Sequence, residues 1–495
     1  MNIIVSVLKI IIESIAELFG VAFSLFNKSH DHTGGLGNLN RILKRSHKEN
    51  GIRIGNKYLS LKQSLNGGML LIGKTGVGKS TKIFFQNLFG ASHMVLTSFV
   101  CLDPTGELRE QSMPYLREEL NYEEDIFNMS DASRSTVKWN PIEQLPDHLI
   151  NRFASELVAI NAGADPKDPI WNNLSTNVIS MTIRLLQSIG KLEYINLYNV
   201  RFLIKSLQSD SDDMNQLISM YASDKVFQDF KSLLSNDERF LGSVISSALS
   251  VLTQWEDENV IKTTSSTSIN MASYRTSNKI LFIQNDIMSQ SYLTNLNSLF
   301  LKRWFNFITE QGVPSKGKHV ISFLIDEASS LRMSDKQFIP FVVSQIRKYR
   351  CYGIWGFQSF AQVQNLYGKE GAETLKHNTG TVLYLGNQDL ETGKAISQAL
   401  GKYTYHKDDR KLTRDVLTPQ EVMYLKGAEH GGILVSGHQP PMIIKDIVPY
   451  YKHRTFQSWS QQEAPKIIGK ANNMPSLLPL KQLIKTSTTN AHIPS

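Results

Sequence analysis

Residues 73–80 read GKTGVGKS and constrain the fold of this chain more than any other segment. They fit the pattern GxxxxGK followed by Ser or Thr, in which glycines let backbone N–H groups turn inward toward phosphate oxygens. Four apolar residues, Met69–Ile72, precede the loop and predict a buried strand, and a helix-compatible run begins at about Lys79. A helix in that place presents its positive N-terminal end to the same anion. The segment therefore predicts a strand–loop–helix unit that holds nucleotide phosphates.

The same pattern assigns roles to individual residues of the loop. Lys79 is expected to reach the β- and γ-phosphates of ATP and to act in catalysis, and the Ser80 hydroxyl is expected to ligate Mg²⁺. The predicted cofactors are therefore ATP and Mg²⁺. The predicted nucleotide-binding residues are Gly73, Lys74, Thr75, Gly76, Val77, Gly78, Lys79, Ser80 and Thr81.

An acidic pair completes the predicted site. Val320–Ile325 reads VISFLI, which predicts a buried strand, and Asp326 and Glu327 follow it directly. Ligands of an open α/β sheet bind outside the carboxyl ends of its strands, so both carboxylates should emerge beside the phosphates. We predict that Asp326 joins Ser80 in holding Mg²⁺ and that Glu327 is the general base for the attacking water. An isolated Asp-Glu pair is more often part of a solvated loop, but its place after a buried strand favours catalysis.

Three polar residues flank the next predicted strand. Gln358 follows that strand and is predicted to sense the γ-phosphate or orient water, with a simple strand-end cap as the alternative. Arg347 and Arg350 precede the strand and are candidates for an arginine finger supplied across a subunit boundary. A surface salt bridge is the commoner role of such arginines. The predicted catalytic residues are Lys79, Glu327, Gln358 and Arg350.

Apolar runs that alternate with helical patterns predict an α/β fold with a covered, parallel-rich sheet. The predicted strands are 69–72, 94–102, 280–284, 320–325, 354–357, 382–385 and 433–436. Between about 148 and 260 the pattern is helical, with predicted helices at 151–161, 172–189 and 212–222. We interpret this stretch as an all-α insertion.

The N-terminal segment predicts contact with a membrane or a partner. Residues 3–26 are long enough for one membrane span, but Lys9, Glu13 and Glu17 would share one helical face. An amphipathic helix lying on a membrane or docked on a partner fits this pattern better than a lipid-spanning helix. The basic stretch 41–57 behind it suits the cytoplasmic membrane face. A soluble helix packed on its own domain is the alternative.

Composition limits the class of protein without choosing a partner. The formal charge of +8 and pI near 9.1 indicate an anionic partner, either nucleic acid or membrane. The two cysteines, Cys101 and Cys351, form no disulfide framework or zinc pattern and are predicted to be buried in a protein of a reducing compartment. The basic cluster 406–414 either contacts DNA or is a solvated loop, and the loop is favoured. The polar stretch from about 456 is expected to be extended or disordered.

Further short motifs follow one another along the chain. They are DPTGEL at 103–108, preceded by Leu102, WNPI at 139–142, Trp171, RCYGI at 350–354, QSFAQ at 358–362, Tyr367-Gly368, LGNQD at 385–389, and GHQPP at 437–441 with Tyr450. From about residue 67 to 451 this series resembles the type IV secretion coupling proteins of the TraG/TraD type, which are hexameric ATPases related to the FtsK and HerA translocases. The DPTGEL and QSFAQ motifs are the more specific parts of the resemblance.

The resemblance implies an architecture and an activity. It implies a RecA-like P-loop ATPase domain, interrupted by an all-α domain, that assembles as a homo-hexamer with active sites between subunits. ATP hydrolysis would hand over DNA with its relaxase, or an effector protein, to the components of a type IV secretion channel. The implied location is the bacterial cytoplasm, at the cytoplasmic face of the inner membrane.

The domain division expected from motifs and resemblance has six segments. They are 1–27, an N-terminal amphipathic or membrane-associated helix; 28–66, a linker; 67–147 and 271–455, the two parts of the RecA-like nucleotide-binding domain; 148–270, the all-α domain; and 456–495, a flexible tail. Members of the family usually begin with two transmembrane helices, whereas this sequence offers at most one charged, amphipathic segment. Anchoring by a separate membrane partner would fit this departure.

Two other functions compete with ATP-driven coupling. One is a HerA/FtsK-like DNA translocase outside secretion, against which the Gln358 and Pro440-Pro441 features argue. The other is a secretion substrate receptor that uses ATP only to assemble, against which Lys79 and Glu327 argue, since a site without hydrolysis needs no catalytic carboxylate. The sequence does not distinguish DNA from protein cargo.

Overall fold

The computed structural model describes residues 34–162, 169–286, 288–333, 335–407, 410–425, 431–445 and 447–490. The helix predicted for 1–27 and the beginning of the predicted linker lie outside the described residues. Within the described ranges, no helix combines the length and apolar character that a membrane crossing requires.

The described residues form thirteen strands and eighteen α-helices. The strands are β1 Asn50–Ile54, β2 Lys57–Ser60, β3 Met69–Ile72, β4 Thr97–Leu102, β5 Glu123–Asn128, β6 Lys279–Gln284, β7 Val320–Ile325, β8 Cys351–Phe357, β9 Thr381–Leu385, β10 Lys402–Lys407, β11 Arg410–Asp415, β12 Gly432–Ser436 and β13 Met442–Ile444. The helices are α1 Leu39–Ile42, α2 Leu61–Leu65, α3 Phe85–Phe89, α4 Glu107–Leu120, α5 Asp147–Ala162, α6 Pro169–Ile189, α7 Leu197–Ser209, α8 Ser211–Tyr221, α9 Asp224–Leu234, α10 Glu238–Val251, α11 Glu258–Thr264, α12 Gln290–Glu310, α13 Phe338–Gln345, α14 Phe360–Asn378, α15 Leu390–Leu400, α16 Pro419–Met423, α17 Arg454–Ser460 and α18 Leu480–Asn490.

A nine-stranded sheet lies at the centre, in the order β13-β12-β9-β3-β8-β7-β4-β6-β5. The seven strands from β9 to β5 pair with one another in parallel, and β12 and β13 extend the sheet in antiparallel pairing beyond β9. β3, β4, β7 and β8 are buried along their whole length, because helices cover both faces of a parallel sheet. The predicted α/β fold with a parallel-rich sheet is confirmed.

Helices α5–α11 occupy the chain between β5 and β6. The three helices predicted at 151–161, 172–189 and 212–222 coincide with α5, α6 and α8 to within a few residues. Both cysteines are buried in the sheet as predicted, Cys101 in β4 and Cys351 in β8. The exact division into domains stays an interpretation.

The described part of the predicted linker differs from the expectation of a polar connection. β1 and β2 form an antiparallel hairpin, and Ile52, Ile54 and Leu59 are buried in the same apolar cluster as Phe84 and Phe85. The glycines at 34–35 suggested a linker, but the pattern of alternating apolar residues around the turn at Gly55 produces a hairpin. This hairpin supports the helix that follows the phosphate loop.

The basic cluster 406–414 is also structured differently from the favoured loop. β10 and β11 pair along six residues each, from Lys402 opposite Asp415 to Lys407 opposite Arg410. β11 is exposed over most of its length. A basic hairpin replaces the solvated loop because Tyr403 and Tyr405 alternate with polar residues at the strand period.

The C-terminal segment differs from the flexible tail expected from 456. Arg109, itself buried, donates a hydrogen bond from Nη2 to the carbonyl oxygen of Pro465 at 2.6 Å. Asn199 accepts from the backbone N of Leu478 at 2.8 Å and donates to the carbonyl oxygen of Ser476 at 3.2 Å. α18 then packs against α8. These hydrogen bonds are widely spaced along the segment and join it to residues far away in the chain. They therefore produce no local periodicity from which an ordered segment could be predicted.

Shortening Leu478 tests whether this segment stabilises the protein. Leu478 is 2 % exposed, and Leu478→Ala should lower the free energy of unfolding by about 2–4 kcal/mol through lost burial and a residual cavity. Thermal or urea unfolding measures the change. Leu477→Ala is the matched control, because the neighbouring Leu477 is 43 % exposed and should tolerate the change. Equal stability of the two variants would contradict the packing described above.

Candidate nucleotide site

A cavity of about 1220 Å³ opens at the carboxyl ends of the central strands. It is lined by residues 74–82 after β3, 102–105 and 107–108 after β4, 326–327 after β7, 358 after β8 and 386–387 after β9. Residues 424–425, 449 and 451 complete the lining. The sheet order places β3 between β9 and β8, so separate segments of the chain converge on one site.

The phosphate loop takes the conformation that its glycines permit. Gly76 has φ 83° and Gly78 has φ 85°, a region that residues with a Cβ rarely adopt. The Gly73 backbone N donates to the carbonyl oxygen of Phe357 at 3.0 Å and ties the start of the loop to β8. The Lys79 Nζ donates to the carbonyl oxygen of Gly73 at 2.8 Å, so the lysine side chain folds back over the loop.

A helix begins after the loop, as predicted. Its first turn, Ser80–Phe84, is π-helical and continues directly into α3. Eight of the nine predicted nucleotide-binding residues line the cavity, and Gly73 lies immediately before the first of them. The loop therefore surrounds a space with backbone N–H groups and a helix N-terminus, as a phosphate requires.

Asp326 lies beside the loop. The Ser80 Oγ donates a short hydrogen bond to Asp326 Oδ2, which joins residues 246 positions apart in sequence. Burial raises the pKa of Asp326 from 3.8 to about 6, and the hydrogen bond from Ser80 and the charge of Lys79 partly offset that rise. A half-buried carboxylate next to a hydroxyl supplies the oxygen ligands that a divalent cation prefers.

Glu327 is half-buried and lines the same cavity. Its carboxylate accepts a short hydrogen bond from the Ser329 hydroxyl, and its backbone oxygen accepts from the Ser330 hydroxyl at 2.7 Å. Both serines belong to the short 3-10 turn Ala328–Ser330, which directly follows Glu327. This turn fixes the backbone of the glutamate at the edge of the cavity.

The DPTGEL motif builds a further side of the site. Asp103 accepts hydrogen bonds from the backbone N atoms of Leu108 at 3.1 Å and Arg109 at 3.0 Å. Burial raises the pKa of Asp103 to about 6, against the effect of these hydrogen bonds. Gly106 has φ 76° and starts α4, and Glu107 in its first turn lines the cavity. The DPTGEL motif was singled out for the family resemblance, but neither Asp103 nor Glu107 was among the predicted site residues.

The remaining predicted site residues lie at two edges of the sheet. Gln358 is exposed, lines the cavity, and its backbone N donates to Gln362 Oε1 at 2.9 Å. Arg350 has φ 51° and precedes β8, so the length of that strand, about 20 Å or more, separates it from the cavity. Arg347 lies at the same edge, where its Nη1 donates to Asn66 Oδ1 at 3.4 Å. The structure thus brings Lys79, Ser80, Asp326, Glu327 and Gln358 together, and it places both arginines elsewhere.

Tyr424 and Tyr451 also line the cavity, although neither was among the site residues predicted from the sequence. The neighbouring Tyr450 was singled out for the family resemblance, but it is only 6 % exposed. No pattern in the sequence marks either tyrosine. Tyr424 directly follows α16, which packs on α15, and Tyr451 lies in a turn that packs on the helix after the phosphate loop.

Gly356 offers a test of how closely β7 and β8 must approach at the site. A Cβ at Gly356 would lie 2.3 Å from the backbone oxygen of Asp326. Gly356→Ala should therefore displace Asp326 and lower the free energy of unfolding by about 1–3 kcal/mol, as thermal unfolding would measure. Gly35→Ala is the control, because a Cβ there would meet nothing within 4 Å. A wild-type melting temperature in Gly356→Ala would show that the close approach is not needed.

Comparisons with known proteins agree with this geometry. A family model described as type IV secretory system conjugative DNA transfer matches residues 36–472. A VirD4 protein of Rhizobium radiobacter is 22% identical over 245 residues, and one of Agrobacterium fabrum is 24% identical over 242. Each match covers 46% of this chain and 35% of the relative, so the chain spans about a third of the length of these curated relatives.

Solved structures of the conjugative coupling protein TrwB have the same fold. An unbound form of TrwBdeltaN70 gives a TM-score of 0.61 at 18% identity, covering 86% of this chain and 91% of that one. A complex of TrwB with a non-hydrolysable ATP analogue gives 0.62 at 18% identity, covering 90% and 99%. A complex with ADP and Mg²⁺ gives 0.61 at 18% identity, covering 88% and 93%. With the family model matching most of its length, the chain belongs to the type IV secretory system conjugative DNA transfer family.

Proposed function

We propose that this protein is an ATP-hydrolysing coupling protein that delivers DNA with its relaxase, or an effector protein, to a type IV secretion channel. The observation that carries the proposal is the hydrogen bond between Ser80 and the half-buried Asp326, inside a cavity bounded by the phosphate loop and Glu327. Family membership supports the cargo and the channel, and the nucleotide complexes of TrwB support ATP and Mg²⁺ as ligands.

The residues present fit Mg²⁺. The Ser80 hydroxyl and the Asp326 carboxylate are hard oxygen ligands, and a neighbouring cation would favour the charged form of a carboxylate whose pKa burial has raised. Mg²⁺, when bound, supplies positive charge that offsets the negative charge of the phosphates. In this proposal Ser80 and Asp326 hold it.

The chain's own residues account for hydrolysis. The backbone N–H groups of residues 74–81 hold the phosphates, and Lys79 leaves the Gly73 carbonyl to contact the β- and γ-phosphates. Glu327 accepts a proton from the attacking water as the water oxygen bonds to the γ-phosphorus, and the bond to the bridging oxygen breaks to give ADP and phosphate. Gln358 orients that water from the end of β8.

The position of the arginines supports a ring with sites between subunits. Arg347 and Arg350 lie at the edge of the sheet opposite their own cavity, so neither reaches it within one chain. In a homo-hexamer, that edge of one subunit would face the cavity of the next, and Arg350 would stabilise charge there as an arginine finger. Contact with the inner membrane, directly or through a membrane partner, would place this ring at the cytoplasmic face.

ATP turnover by the purified full-length protein tests the proposal. Turnover should rise with single-stranded or double-stranded DNA and vanish in Lys79→Ala, which removes the phosphate contact. Lys318→Ala is the control, since Lys318 is an exposed lysine that does not line the cavity. Nucleotide binding without turnover, under every DNA and cargo condition, would contradict an ATP-driven coupling protein and favour a receptor.

A further inference from the structure

The cavity is larger than its phosphate-binding part requires. Its volume of about 1220 Å³ exceeds the roughly 300–1,000 Å³ of typical small-molecule sites, so the base and sugar of a nucleotide fit as well as the phosphates. The residues discussed so far handle phosphates, metal and water. They leave open which group contacts the base.

Tyr451 exposes an aromatic ring to this cavity. It is 42 % exposed, whereas its neighbour Tyr450 is 6 % exposed. Tyr450 fills the apolar core at this place, because its ring centroid lies 4.6 Å from that of Phe85 and 5.4 Å from that of Phe89. The Tyr451 ring is therefore not needed to fill the core, and its apolar surface remains available to a ligand.

The position of Tyr451 is fixed relative to the phosphate loop. Its ring meets that of Tyr450 edge-on, with centroids 5.5 Å apart and planes at 79°. The Tyr450 hydroxyl donates a short hydrogen bond to Gln111 Oε1 on α4. Gln86 on α3 donates from Nε2 to the carbonyl oxygen of Val448 at 3.1 Å. The turn Tyr450–Lys452 thus packs on the helix that begins with Ser80, so the backbone that carries Tyr451 is anchored to the helix that follows the phosphate loop.

From these contacts we infer that Tyr451 is the stacking platform for the nucleotide base. Bases stack on aromatic rings because both present flat π-faces, and a ring held in place loses little freedom on binding. This inference rests on the proposed nucleotide-binding function and adds to it the residue that recognises the base. Tyr424, which is 69 % exposed, has no comparable ring contact with the helix after the loop and is the less constrained of the two cavity tyrosines.

The test compares a ligand that has a base with one that lacks it. Calorimetric titration of the full chain with a non-hydrolysable ATP analogue, and separately with inorganic tripolyphosphate, gives the dissociation constants of both. Tyr451→Ala should raise the constant for the ATP analogue roughly tenfold and leave that for tripolyphosphate unchanged. Tyr451→Phe, which keeps the ring, should bind both ligands as the wild type does.

The matched control is Tyr292→Ala, since Tyr292 is 40 % exposed but lies on α12 outside the cavity lining. It should change neither constant. Wild-type affinity of Tyr451→Ala for the ATP analogue would overturn the inference, and so would an equal loss for both ligands, which would indicate a role in folding of the site. Failure of the wild-type protein to bind either ligand would overturn the proposed function together with this inference, whereas the first two outcomes leave that function intact.

Discussion

Replacing Glu327 with glutamine should lower the rate of ATP hydrolysis about 10²–10⁴-fold, the contribution expected of a general base. The amide has nearly the shape of the carboxylate but cannot accept the proton of the attacking water. Glu327 accepts hydrogen bonds from the hydroxyls of Ser329 and Ser330, and the phosphates are held by the loop, so ATP binding should persist. Single-turnover hydrolysis and nucleotide titration of the same preparation measure the two properties separately.

A second glutamate in the cavity, Glu107, provides a matched control for the test of Glu327. Glu107 lines the same space from the first turn of α4, and Glu107→Gln changes the same chemical group there. We expect Glu107→Gln to retain most of the hydrolysis rate. The assignment of the general base would move to Glu107 if Glu107→Gln lost hydrolysis while Glu327→Gln kept it.

Replacing Asp326 with asparagine should have opposite effects on activity and stability. Loss of the charged ligand should reduce Mg²⁺-dependent turnover by about a hundredfold or more, since the metal then lacks its protein carboxylate. The protein without nucleotide should become more resistant to heat at pH 7.5, because the neutral amide carries no cost of burying a charge. Asparagine still accepts the hydrogen bond from Ser80.

The pKa of Asp326 predicts how the gain in stability depends on pH. Burial raises that pKa from 3.8 to about 6, so the folded protein binds this proton more tightly than the unfolded chain does. The resulting stability is fully present below about pH 3.8 and is lost as the pH rises through about 6. The melting temperature of Asp326→Asn should therefore exceed that of the wild type above pH 6, and the difference should shrink toward pH 4.

Asp229→Asn is the control for this pH series, because Asp229 is an exposed aspartate of α9 outside the nucleotide cavity. Its melting temperature should follow that of the wild type at every pH. A lower melting temperature of Asp326→Asn than of the wild type at pH 7.5 would contradict the prediction. It would show that the Asp326 carboxylate is favourably solvated in the folded state.

The sequence was most informative where one continuous segment indicates both the local structure and the chemistry. The loop 73–80 and the pair Asp326-Glu327 follow continuous apolar strands, so composition and order along the chain indicate both their structure and their chemistry. Strand β5 was not predicted, because the acidic residues Glu123 and Asp125 interrupt its apolar pattern. Lys279 of the neighbouring strand contacts their carboxylates at 3.3 and 3.6 Å, and that partner is far away in sequence.

The amino-acid sequence by itself determined the phosphate loop, six of the seven strands of the parallel sheet and the helical insertion, because each depends on residues close together in the chain. Tertiary structure alone decided the distance of Arg350 from its own cavity, the anchoring of the C-terminal segment and the exposure of Tyr451. These features depend on strand order and on contacts between distant segments. Local periodicity carries no record of them, since the residues involved satisfy each other only after the sheet has assembled.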